Sequence, residues 1–211
     1  MMPLLFEPVD LSLAPAARSG ARMFRHSGMF DGCPLTVTYL VDDKEHRSRS
    51  DKALGAVTDE RTLAALLALP VDDLAPVPSR FLKALSGNGT ASLAMLIREP
   101  HGSTWGQRKL GVPVEVLEIE ARARDWTRGC ALAHRWVGYA PRTVRVACPI
   151  PGDPTLLLTE AAHYGLGVIA GAQDTRLLKP SAYEPRRWTP SRWRFAELVY
   201  EQFLTSDAAN G

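Results

Sequence analysis

Cysteine is scarce in this chain of 211 residues: Cys33, Cys130 and Cys148 are the only three, and none stands in a C-x-x-C pair. An odd number so spaced argues against a disulfide framework and against a zinc cluster, so a reducing, cytoplasmic setting is expected. Long apolar runs are missing too. No stretch approaches the ~20 residues of a bilayer span, and the start, MMPLLFEPVDLSL, has no basic segment leading into a long apolar one, so neither a membrane partner nor export is expected. An excess of one charge is nearly absent, at +2 net. That balance does not require a polyanionic partner, although the surplus can gather on one face. The nucleophile elbow G-x-S-x-G and the phosphate loop G-x-x-x-x-G-K do not occur. The nearest approach, Gly87-Asn88-Gly89-Thr90, is too short and lacks lysine; its glycosylation tripeptide is read as a turn. His134 and His163 have no second histidine or cysteine at ligand spacing and are read as packed or surface residues.

What is present is enough apolar residue, 45% of the chain, for one large domain or one domain with an appendage. Residues 1–57 form a strand and loop region with one convincing strand, Leu35 to Val41, after the turn Asp31-Gly32. The charged run Asp42 to Lys52 reads as an exposed loop or hairpin arm. A small helical region spans 58–105. Asp59 caps a helix that Pro70 stops, Pro78-Ser79 opens a second, and Thr90 caps a third, ASLAMLIR. Three short helices invite comparison with a helix-turn-helix, but the third offers only Ser92 and Arg98 to a groove, so plain packing is expected. Residues 106–211 alternate in α/β order. Strands are expected at Val114 to Ala123, Thr143 to Cys148, Gly167 to Ala170 and near Arg176 to Leu178. Helices are expected from Trp126 to about Tyr139, from about Leu156 to His163 and from Arg192 to Leu204. Trp126, Cys130, Ala133 and Val137 share one helix face, and Trp193, Ala196, Tyr200 and Phe203 another, as if both helices covered one sheet.

The stretch LEIEARARDW, Leu117 to Trp126, looks most like chemistry. Alternation on a strand puts Glu118, Glu120, Arg122 and Arg124 on one face and Ile119, Ala121 and Ala123 on the other. Like-face neighbours lie ~6.5 to 7 Å apart, within reach of a shared ion or phosphate and equally within reach of charges on an adjacent strand. Spacing does not choose between these.

The succession E-x-E-A-R-x-R-D-W, a helix, RTVRVAC, a helix ending in His163-Tyr164-Gly165, and Gly-Leu-Gly-Val-Ile-Ala resembles the PD-(D/E)xK superfamily of restriction-endonuclease-like nucleases. The resemblance covers about Val114 to Ala170. It implies an α/β fold with a restriction-endonuclease-like mixed sheet flanked by helices in the C-terminal half. It places Glu120 on the metal-binding acid and Arg122 on the lysine of E-x-K. In an active member such an acid, here helped by Glu118, would hold Mg²⁺ to polarise phosphate and activate water.

The sequence departs from that pattern in three places. Arginine stands for lysine, and it stays protonated near the nucleophile. No aspartate occurs in GSTWGQRKLGVPV, so Glu115, Glu118 or Glu99 would have to supply the partner acid. Leu132 falls where many members carry glutamine or lysine. Glu120 and Arg122 are therefore read as vestigial, with no cofactor expected, and Mg²⁺ at Glu120 and Glu118 only if cleavage survives. Basic residues interleaved with aromatics point to phosphate contact, with Arg122, Arg124, Arg128, Arg186, Arg187 and Arg192 as candidates beside Tyr183, Trp188 and Trp193. Against this, arginine outnumbers lysine throughout, and the tryptophans sit at helix-packing positions. The expected function is a catalytically degenerate nuclease-fold protein that binds DNA or serves a DNA-processing or defence assembly. The alternatives are an active Mg²⁺-dependent nuclease and a protein-interaction or structural subunit, with a protein partner or a second copy in place of DNA.

Overall fold

The turn Asp31-Gly32 sets the first hairpin. In the computed structural model both residues take left-handed backbone, φ 46° and 73°, the pair of positive angles that a two-residue type I′ connection requires. They join the antiparallel strands β1 (Met23–Phe30) and β2 (Cys33–Val41), with Phe30 opposite Cys33. The structure describes residues 22–87, 90–147, 149–150, 152–171, 175–183 and 187–208. Arg186, Cys148, Asn88, Gly89 and the first part of the 1–57 region lie outside them.

After β2 come α1 (Asp43–Ser50), α2 (Glu60–Leu67), β3 (Ala75–Pro76), α3 (Ser79–Leu85), a 3₁₀ turn at Thr90–Ser92, β4 (Ala94–Arg98) and β5 (Thr104–Arg108). Then follow β6 (Val114–Arg122), α4 (Trp126–His134), β7 (Arg142–Val146), α5 (Pro154–His163), β8 (Gly167–Ala170), β9 (Thr175–Leu178) and α6 (Pro190–Ala208). Among the described residues the fold is thus mixed α/β, with a six-stranded mixed sheet in the order β1-β2-β6-β7-β8-β9 and a three-stranded sheet in the order β3-β5-β4. The chain forms two compact units, one from Met1–Leu40 and Val116–Arg186, the other from Val41–Glu115 and Arg187–Gly211. No helix among the described residues is long and apolar enough to cross a membrane.

In the first unit β6, β7 and β8 run parallel, which brings Ala121, Val144 and Val168 into register as a buried apolar row. Helix α4 packs on β7 and α5 on β8. Asp125 caps α4 by accepting from the amides of Thr127 and Arg128, and Asp153 caps α5 with Pro154 at its first position. Close approach of α4 depends on Gly129, where an added Cβ would lie 2.6 Å from Val144 Cγ1. Gly129→Ala is therefore expected to destabilise by about 1–3 kcal/mol despite alanine's better helix propensity. Val144→Ala in the same chain should restore part of that loss in urea unfolding. Trp126, Cys130 and Ala133 are buried as expected, but Val137 is 58% exposed, because α4 stops at His134 and the helical spacing no longer applies.

In the second unit the charged run after β2 is not a loop. It forms α1, whose N-cap Asp42 accepts from the amides of Lys44 and Glu45, with acids in its first turn and bases in its last to suit the helix dipole. Helices α2 and α3 lie where Asp59 and Pro78 start them. The expected third helix is strand β4, which pairs antiparallel with β5, Leu96 facing Gly106 and Ile97 facing Trp105. Leu63, Leu66, Leu69, Leu85, Leu93 and Leu110 form the core with Trp193 of α6. Helix α6 packs on α2 and belongs to this unit.

Candidate functional site

On β6, the face opposite Ala121 carries Glu118, Glu120 and Arg122, and register sets Thr143 beside Glu120 and Arg145 beside Arg122. Glu120 is charged yet only 4% exposed, so its carboxylate must find partners inside the protein. It finds three guanidiniums. Oε1 accepts from Arg122 Nε at 2.9 Å and Arg145 Nε at 2.5 Å, and Oε2 accepts from Arg25 Nη2 at 2.8 Å and Arg145 Nη2 at 2.9 Å. Arg145 thus grips the carboxylate bidentately from the next strand. Arg25 reaches it from β1, over the intervening β2, a gap of about 10 Å at ordinary strand spacing. Burial pushes the Glu120 carboxyl up. The hydrogen bonds from Arg145 and Arg122 and the charges of Arg145 and Arg25 outweigh it and hold the pKa below the ordinary value.

Glu118 is engaged separately. Its Oε1 accepts from the Thr143 hydroxyl, and both oxygens accept from Arg176 of β9, at 3.1 and 3.2 Å. The two acids proposed as metal ligands therefore have their oxygens taken up by arginine and threonine donors. Mg²⁺ needs hard oxygen ligands free of competing cations. A carboxylate ringed by three positive groups does not fit that ion, and no group of three or more His, Cys, Asp or Glu among the described residues is arranged to hold one.

Arg122 differs from its neighbours. It is spent on Glu120 only through Nε, its side chain is 50% exposed, and neither terminal nitrogen has a hydrogen-bond partner among the described residues. Arg124 lies beyond the end of β6, so strand alternation does not extend to it, and Arg128 lies in the first turn of α4; both are exposed. These three stand at the carboxyl end of β6, where ligands commonly bind on parallel sheets. The other candidates are elsewhere. Arg187 and Arg192 belong to the second unit, Arg187 exposed and Arg192 buried with its guanidinium 4.0 Å from the centre of the Trp188 ring. Arg186 lies outside the described residues.

Sequence reasoning missed Arg25 entirely, since β1 carried no clear strand pattern, and did not pair Arg145 with Glu120 or Arg176 with Glu118. The alternation of Thr143 and Arg145 on β7 was the one available signal. The remaining chemistry is quiet. Burial pushes the Cys130 thiol up to about 11, so it stays protonated at neutral pH and is no nucleophile. His134 and His163 each set a ring edge against Tyr164, with centroids 4.3 and 4.8 Å away. The chain's whole surplus of +2 falls within the first unit, the second being balanced. No protein-family model matches the chain, and neither a curated protein nor a solved structure matches it.

Proposed function

We propose that this chain is a catalytically degenerate nuclease-fold protein with a restriction-endonuclease-like core, and that it binds DNA through phosphate contacts at the carboxyl end of β6. The order β6, α4, β7, α5, β8 supports the core assignment. The observation that carries the function is the ring of three guanidiniums on Glu120. Where the resembled nucleases keep an acid open for a metal, this acid is consumed in ion pairs with Arg25, Arg122 and Arg145, and the Arg122 side chain stays half exposed. A half-exposed guanidinium attracts phosphate without any metal. Arg122, with Arg124 and Arg128 beside it, supplies donors that no carboxylate of the described residues occupies.

The test is binding of fluorescein-labelled duplex and single-stranded DNA over a range of salt. Wild type is expected to bind with a steep salt dependence, and Arg122→Ala/Arg124→Ala to bind more weakly, with a slope lower by about two. An unchanged slope in the double variant would remove this face as the DNA contact. A protein partner that co-purifies while DNA is not retained would favour the interaction-subunit alternative. Cleavage in Mg²⁺ that vanishes in Glu120→Ala would replace the proposal with the nuclease alternative.

A further inference from the structure

We infer that Glu120 is a positioning residue that fixes the Arg122 guanidinium as a two-pronged phosphate donor, so that this carboxylate strengthens anion binding instead of opposing it. The inference rests on the nucleic-acid reading above and adds to it which group grips the phosphate and how it is held. A free arginine on a strand end samples many rotamers, and ordering it on a ligand costs conformational entropy. Here that ordering is done in advance. Nε of Arg122 donates to Glu120 Oε1 at 2.9 Å, on a carboxylate that Arg145 and Arg25 already hold in place. The guanidinium is planar, so fixing Nε fixes the direction of the opposite edge. That edge carries Nη1 and Nη2, which have no partner among the described residues, on a side chain half exposed to solvent. Two parallel N–H donors in a rigid fork match two oxygens of one phosphate.

The ligand chemistry is therefore a phosphate group with two accessible oxygens, either in a nucleic-acid backbone or as free phosphate. A simple charge argument gives the opposite sign for Glu120. Removing a negative group from the site would then tighten anion binding, whereas loss of a positioning group weakens it.

The experiment compares wild type with Arg122→Lys, Glu120→Gln, Arg122→Ala and Glu120→Gln/Arg122→Ala. One arm measures anisotropy of fluorescein-labelled duplex and single-stranded oligonucleotides, the other protection against thermal unfolding by inorganic phosphate at fixed ionic strength. Arg122→Lys keeps the charge but lacks the fork, and it is expected to weaken binding on the order of tenfold. Glu120→Gln is expected to weaken it too, but to have no further effect once Arg122 is alanine, a coupling that general loss of structure does not produce. If Glu120→Gln fails to fold by circular dichroism, Arg122→Lys decides. Weakening in the oligonucleotide arm assigns the fork to backbone phosphate, and weakening confined to the phosphate arm assigns it to free phosphate. Arg122→Lys equal to wild type, or folded Glu120→Gln binding more tightly, overturns the inference while leaving the nucleic-acid reading in place. Wild type that binds neither oligonucleotide nor phosphate removes both.

Discussion

Arg49→Met is expected to cost about 3–5 kcal/mol, the loss associated with leaving one member of a buried ion pair without its partner. Arg49 and Glu197 are 1% and 0% exposed. Arg49 donates both terminal nitrogens to the Glu197 carboxylate at 2.7 Å, Nε to Glu45 at 2.8 Å and a second bond from Nη2 to the Gly111 carbonyl at 2.9 Å. Glu197 also accepts from the Trp193 indole and the Val57 amide, each at 2.9 Å. Burial alone would lower the Arg49 pKa, but its bonds to Glu197 and Glu45 more than offset that and raise it, so the guanidinium keeps its charge. Methionine fills similar volume and strands the carboxylate. Arg49→Met/Glu197→Leu should recover part of the loss, because no buried charge then remains, but not all of it, since Trp193 and Val57 lose their acceptor. Urea unfolding followed by tryptophan fluorescence measures both. A single variant as stable as wild type would mean that this network contributes nothing net to the second unit.

Glu120→Gln is the second large effect, and it depends on pH in a defined direction. The carboxyl is held below its ordinary value of 4.5 by Arg145, Arg122 and Arg25. A group whose pKa is depressed on folding stabilises the folded state fully above its unfolded pKa, and loses that contribution as pH falls through the folded one. The stability gap between wild type and Glu120→Gln should therefore be at its full size at neutral pH, on the order of 3 kcal/mol for the loss of a buried ion-pair partner. It should shrink only below about pH 4.5, as wild type itself takes up the proton. Unfolding free energies of both proteins from neutral to acid pH measure this. A gap that is already small at neutral pH would mean that the three arginines are content without the carboxylate.

Residues whose local chemistry agreed with their tertiary fate were legible. The Asp31-Gly32 turn, the Asp59 and Pro78 helix starts and the strand Gly167–Ala170 could be read because turn and cap residues act over a few positions. The run Asp42 to Lys52 could not. A helix polar on every side shows no periodicity, and the burial of Arg49 depends on Glu197, 148 residues away. ASLAMLIR failed for the opposite reason. A short apolar run suits a helix or a buried strand, and pairing with β5 decided it. At the site, strand alternation gave Glu118, Glu120 and Arg122 their common face. It gave no hint of Arg25, because the distance from residue 25 to residue 120 is closed by sheet order alone.

Duplex binding in EDTA, set beside binding and cleavage in Mn²⁺, bears most directly on whether Glu120 organises arginine or holds a metal. Wild type is expected to bind equally well with the metal chelated, to leave the DNA intact in Mn²⁺, and to lose affinity in Arg122→Ala/Arg124→Ala. Binding that appears only with Mn²⁺, or cleavage abolished by Glu120→Ala, would show instead that a metal displaces the arginines from this carboxylate.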